Sequence, residues 1–116
     1  MRLREKAELL KALAHPTRLA IVQKLATGPK CVTDIQELLD VPQSNVSQHL
    51  TVLRSYRIVD YHEDGKLRCY YVTRPALAEL IEGFLCSDFP IVERSKDDVR
   101  RAGQRSKESQ ICKAIK

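Results

Sequence analysis

Between residues 43 and 72 the chain changes its hydrophobic period once, and that change limits the folds open to it. From Gln43 to Ser55 the apolar residues Val46, Leu50 and Leu53 are spaced i, i+4, i+7, which draws a narrow stripe along a helix. From Ile58 to His62, and again from Leu67 to Val72, β-branched and aromatic residues take over. Asp64-Gly65 lies between those runs, a dipeptide favoured in a two-residue type I′ hairpin turn. A mostly polar helix therefore feeds directly into a hairpin.

Three shorter helices are predicted upstream. In residues 3–14, Leu3, Ala7, Leu10 and Ala14 recur at helical spacing, and His15-Pro16 breaks the pattern. Pro16 suits a first helical turn, where its missing N–H has no partner to lose. A second helix from Thr17 to Ala26 turns Leu19, Val22 and Leu25 inward and stops at Gly28-Pro29. A third, from about Thr33 to Leu39, carries Ile35, Leu38 and Leu39, with Thr33 and Gln36 at capping-box spacing. Asp40-Val41-Pro42 forms a tight connection to the polar helix.

Beyond the hairpin, Thr73-Arg74-Pro75 opens a fifth helix whose apolar face is Leu77, Leu80, Ile81, Phe84 and Leu85; Asp88-Phe89-Pro90 closes it. From Ile91 the chain is polar and charged, consistent with a short helix and then a frayed end. The fold class that follows is mainly α with a β-hairpin wing, a winged helix-turn-helix in the order α-α-α-α-β-β-α. Residues 1–90 form the single folded domain of this reading, and residues 91–116 a basic tail.

Length and charge sharpen the argument. The 116 residues suit one domain with one modest core. The net charge is +5, yet residues 1–93 hold 12 Lys and Arg against 12 Asp and Glu, while residues 94–116 hold 8 against 3. The tail carries the excess, so a basic balance says little about what the folded part binds. The tail itself reads either as a solvated end or as a source of non-specific phosphate contacts. No apolar run approaches membrane length and no signal-peptide pattern stands out, so a cytoplasmic protein with no membrane partner is expected.

The fourth helix makes the case that charge does not. Around its stripe, Ser44, Gln48, Thr51 and Ser55 fall on the opposite side, flanked by Asn45 and Ser47, with Gln43 at the start. That face is small, polar and uncharged, and it offers both donors and acceptors to base edges in a major groove. Cations stand at its margins, Arg54 and Arg57 at the helix end and Lys66 and Arg68 at the hairpin tip, where phosphates can be reached. A solvated amphipathic helix would more often carry Lys and Glu there. A winged helix that binds protein instead of DNA would show an apolar or strongly charged face. An enzyme is disfavoured: no nucleophile has a nearby base, and no phosphate-cradling glycine loop or closed metal set is present.

Taken in order, LKALAHPTRLAIVQKLATG, CVTDIQELLDVPQSNVSQHLTVLR and IVDYHEDGKLRCYYV resemble the ArsR/SmtB family of small metal- and stress-responsive repressors over about residues 9 to 85. The resemblance implies a homodimer joined through its first and last helices, bound to a palindromic double-stranded operator and released by an inducer. It also places a structural histidine at His49, whereas His15 reads as a helix-boundary residue and His62 as a wing residue.

The inducer site is less constrained. Where the family carries a C-V-C-D pattern, this chain has Cys31-Val32-Thr33-Asp34, so one thiol is present and the second is replaced. A second family site uses acidic and histidine ligands on the last helix, but residues 75–90 offer Glu79, Glu82 and Asp88 without a histidine. Zinc is disfavoured on those ligands. Cys31, beside Lys30 at a helix N-terminus, suits the anionic sulfur that binds thiophilic ions. Trivalent arsenic or antimony wants two or three sulfurs, so Cys86 and Cys112 are its candidate companions. Cys69, inside a wing strand, is expected to pack. A redox or reactive-sulfur sensor using a Cys31–Cys86 bridge is the alternative, and no cofactor is required in either case.

Overall fold

The computed structural model describes residues 1–106. Helix α1 (Leu3–Leu13) buries Leu9, Ala12 and Leu13, whereas all four residues of the expected stripe, Leu3, Ala7, Leu10 and Ala14, are exposed. The helix has two apolar faces, and the core takes the one that periodicity did not pick. Helix α2 (Pro16–Leu25) begins with Pro16 in its first turn; the N-cap is His15, whose Nδ1 accepts the Thr17 N–H at 3.0 Å. Its buried residues are Ile21, Val22 and Leu25.

A two-residue strand, β1 (Lys30–Cys31), follows, which no local pattern announced. It holds the chain extended up to Cys31, so α3 (Val32–Leu39) starts with Cys31 at its N-cap position and no side-chain cap. The capping box expected at Thr33 and Gln36 is therefore not formed, because Thr33 already lies inside the first turn. Helix α3 stops where Asp40 adopts φ 54° and returns its N–H to the Gln36 carbonyl at 2.9 Å. Aspartate tolerates this left-handed conformation better than most residues. Pro42 then accepts the amides of Asn45 and Val46 and launches α4 (Gln43–Ser55), whose bounds match the sequence expectation.

Helix α4 is fixed at both ends. Val46, Leu50 and Leu53 are fully buried against α2, α3 and the sheet. At its C-terminal end Arg57 turns left-handed at φ 56°, and its carbonyl accepts the Thr73 hydroxyl and Arg74 Nε. Ile58 N–H bonds back to the Leu53 carbonyl at 3.0 Å, which holds Ile58 to the helix and starts the ladder at Val59.

Strands β2 (Val59–Asp64) and β3 (Leu67–Val72) pair antiparallel from Val59↔Val72 to Asp64↔Leu67. The loop is thus Gly65-Lys66, one residue beyond the expected Asp64-Gly65, because Asp64 is still in register. Positive φ falls on Gly65 (63°) and not on Lys66, the requirement of a II′ and not a I′ turn. The sheet order is β1-β3-β2, with Cys31 directly opposite Cys69. Helix α5 (Pro75–Leu85) closes the core with Ala78 and Ile81, and α6 (Lys96–Ser106) follows. Among the described residues no helix is long and apolar enough to cross a membrane.

Two helices leave apolar surface outside this core. Leu3 and Leu10 on α1 are 68% and 57% exposed, and Leu80 and Phe84 on α5 are 66% and 52% exposed. A groove of about 540 Å³ runs between the two helices, with Leu9, Leu10, Leu77 and Leu80 in its walls. Apolar surface gathered in this way marks a contact face, not isolated exposed residues.

Candidate nucleic-acid interface

The buried stripe of α4 fixes what its other side presents. Gln43, Ser44, Asn45, Ser47, Gln48 and Thr51 are all exposed. Thr51 Oγ1 donates to the Ser47 carbonyl at 2.9 Å and Ser55 Oγ to the Val52 carbonyl at 2.6 Å, so those two hydroxyls are turned back onto the helix. Among the described residues the other five side chains make no hydrogen bond to the protein.

The cations are arranged around one ring of the wing. Arg54 Nε donates to Asp60 Oδ1 at 3.0 Å, and its guanidinium lies 4.5 Å from the centre of the Tyr61 ring. Arg68 sits 4.6 Å from the same ring and 3.9 Å from Glu63. The Tyr61 amide and the Arg54 guanidinium hold the Asp60 carboxyl below the usual carboxylate range. Arg54 is therefore held to the wing root and is not the free cation its position suggested, although it remains exposed. Lys66 occupies the hairpin loop and is exposed as well.

Helix and wing meet along a cleft of about 320 Å³ whose walls include Gln43, Ser47, Thr51, Lys66 and Arg68. Residues from two separate stretches of sequence thus share one surface. A larger open cleft of about 840 Å³ adjoins it at Thr51 and is bordered by Arg54, Arg57 and Arg74. Arg74 was not singled out from the sequence. Its guanidinium bonds the Arg57 carbonyl at 3.2 Å and the Tyr56 carbonyl at 3.5 Å, contacts that only the fold creates.

This architecture recurs in known regulators. The model for bacterial regulatory proteins of the arsR family matches residues 15–61, from the cap of α2 into the first strand of the wing. The transcriptional repressor PagR of Bacillus anthracis is 39% identical over 83 residues, which covers 71% of this chain and 83% of PagR. The chain belongs to the arsR family of bacterial regulatory proteins.

The PagR crystal structure superposes with a TM-score of 0.65 at 37% identity over 71% of this chain and 94% of that one. The homodimeric winged helix-turn-helix DNA-binding domain of Mb0332 from Mycobacterium bovis gives a TM-score of 0.66 at 27% identity, covering 72% and 78%. The HTH-type transcriptional repressor SmtB of Mycobacterium tuberculosis is 39% identical over 74 residues, 64% of this chain. The chain spans only 55% of the length of that repressor. The winged helix-turn-helix reading of the sequence agrees with these folds.

Behind the interface His49 is half-buried on α4, its ring centre 4.3 Å from that of His15. Burial, then the neighbouring His15 and Arg18, push its pKa below the ordinary histidine value. The folded state thus binds this proton less tightly than the unfolded chain, whose imidazole titrates near about 6.5. The stability is complete above that pH and declines as the pH falls through it. The urea midpoint is expected to drop between pH 7.5 and 5.5, and His49→Gln should flatten that decline. An equally steep decline in the variant would remove His49 from the account.

The cysteines divide differently from the sequence expectation. Cys31 is half-buried; its Sγ lies 3.1 Å from Thr33 Oγ1 and donates to Asp34 Oδ2 at 3.0 Å. Lys30 does not attend the sulfur, because its ammonium bonds Thr27 Oγ1 at 2.9 Å and the Gly28 carbonyl at 3.4 Å. Cys86 is exposed at the C-terminal cap of α5, and Cys112 lies outside the described residues. Among the described residues no group of three or more His, Cys, Asp or Glu side chains is placed to hold a metal ion.

Proposed function

We propose that this protein is a sequence-specific transcriptional repressor that binds a palindromic operator as a homodimer and lets go when an effector reaches its thiols. The supporting observation is the exposed polar side of α4, left without partners among the described residues over Gln43, Ser44, Asn45, Ser47 and Gln48 and flanked by Lys66, Arg54 and Arg68. Thr51 completes that side. Amides and hydroxyls suit base edges, whereas cations on the wing suit phosphates whatever the sequence. The apolar faces of α1 and α5 supply the dimer contact, and two reading helices give the discrimination that one short helix lacks.

Cys31 is the sensing thiol of this reading, since it shares a cleft with Gln43, Ser47 and Lys66. Cys86, on the helix that carries the dimer face, and Cys112 are the further sulfurs for trivalent arsenic, antimony or another thiophilic ion. Such an effector acts only through unequal affinity for the DNA-bound and free forms of the dimer.

Two substitutions test the DNA-binding surface by fluorescence anisotropy on the upstream DNA of its own gene and on random duplex. Gln48→Ala is expected to cost about 1–3 kcal/mol on the operator, roughly 5- to 150-fold, and little on random DNA. Lys66→Ala should weaken both alike and lower the salt dependence. Equal losses on both duplexes for Gln48→Ala would remove α4 from the role of reading helix.

A further inference from the structure

The sheet register carries a consequence for the cysteines. Cys31 on β1 and Cys69 on β3 are direct cross-strand partners, and both thiols are free and half-buried. We propose that these two residues form a reversible disulfide that staples the start of α3 to the wing, a covalent modification site for a hydroperoxide.

Geometry supports the pair. Directly opposite residues of an antiparallel ladder project to the same face, with Cα atoms about 4.5 or 5.5 Å apart. A disulfide accepts Cα separations of roughly 4.4–6.8 Å, so the bond closes without breaking the register. Partial burial admits a small oxidant while hindering larger thiols. On its other side Cys69 faces His62, whose ring stacks on Tyr71 with centres 5.0 Å apart. The first sulfur already donates a hydrogen bond to Asp34 Oδ2. His62 stands a further strand away from Cys31, which suits a two-sulfur bond better than a three-ligand metal site. Cys86, capping α5, belongs to no strand, so the register does not present it to Cys31.

With hydrogen peroxide the chemistry has two steps. The Cys31 sulfur attacks one peroxide oxygen and the O–O bond breaks. The thiol proton joins the departing oxygen, which leaves as water, and Cys31 becomes a sulfenic acid. The Cys69 sulfur then attacks the Cys31 sulfur, the S–O bond breaks, and that oxygen leaves as water with the Cys69 proton. Two thiols are oxidised to one disulfide and one peroxide is reduced to two waters. Because Cys31 also borders the cleft between α4 and the wing, the bond fixes one wall of that cleft to wing strand β3 and stiffens the DNA-binding surface. That last consequence rests on the DNA-binding reading; the bond itself does not.

The test uses the reduced full-length chain, treated with excess hydrogen peroxide near neutral pH and then alkylated to block remaining thiols. Trypsin leaves Cys69 and Cys86 on one peptide because Arg74 precedes Pro75, so a glutamate-specific protease is added to cut after Glu79 and Glu82. Mass spectrometry is expected to find a Cys31–Cys69 peptide pair as the main product. The pair should persist in Cys86→Ser, disappear in Cys69→Ser and separate on reduction with dithiothreitol. A Cys31 link to Cys86, to Cys112 or to a second chain overturns the proposal, as does Cys31 oxidised without a partner sulfur. Because the bond is read by mass, failure to bind operator DNA would leave this result standing.

Discussion

Leu50→Ala is expected to destabilise the protein by about 2–5 kcal/mol, a large share of the roughly 5–15 kcal/mol that holds a small domain folded. Leu50 is fully buried at the middle of the α4 stripe, between Val46 and Leu53, which are equally enclosed. Truncating it removes the transfer free energy of its methyl groups and leaves a cavity that α2, α3 and the sheet can fill only in part. The urea midpoint should fall with little change in slope. Gln48→Ala lies on the opposite side of the same helix and should shift stability by less than about 0.5 kcal/mol. If the two variants unfold at the same urea concentration, the stripe is not the anchor of the reading helix.

The second large effect concerns assembly. Leu80→Asp combined with Leu10→Asp places a charge on each of the two helices whose apolar faces stay outside the core. Leu10 and Leu80 are both largely exposed, so the single-chain fold should survive with a near-normal urea midpoint. An ion in the centre of an apolar interface, in contrast, has no partner to offset its lost hydration. The mass by light scattering should therefore change from two chains to one. Affinity for a two-half-site operator should then fall toward the non-specific level, ~10³-fold or more, since a lone winged helix loses half of its contacts. A wild-type protein that is already monomeric at micromolar concentration, or a variant that stays dimeric, would displace the α1–α5 contact from this account.

The family relation and the site agree on where to look, but they contribute different things. Kinship with PagR and SmtB speaks for the fold and for regulation as the class of activity. The proposed base reading and effector sensing rest instead on particular side chains of this chain, above all those of α4 and the cysteines. Threonine at position 33 adjoins one of these, since the structure places its hydroxyl against the Cys31 sulfur at 3.1 Å.

Elements whose cause is local were legible in the chain itself. Helix α4 runs where it was expected because its stripe, the Asp40-Val41-Pro42 stop and the switch to β-rich sequence all lie within or beside it. Pro16 at the start of α2 and the hairpin were readable for the same reason, and the polar side of α4 follows from knowing its buried side. The details that depend on distant partners were decided only by the tertiary structure. Strand β1 has two residues and no pattern of its own; it exists because β3 offers it a ladder, and that pairing starts α3 one residue early and sets Cys31 opposite Cys69. The same holds for α1, where two apolar faces were available and packing against the neighbouring helices chose Leu9, Ala12 and Leu13. Arg54 reaches the Tyr61 ring because the wing lies beside the helix end. Periodicity reports what a segment can bury, whereas the choice among its faces and the pairing of its edges are long-range contacts fixed only when the whole chain packs.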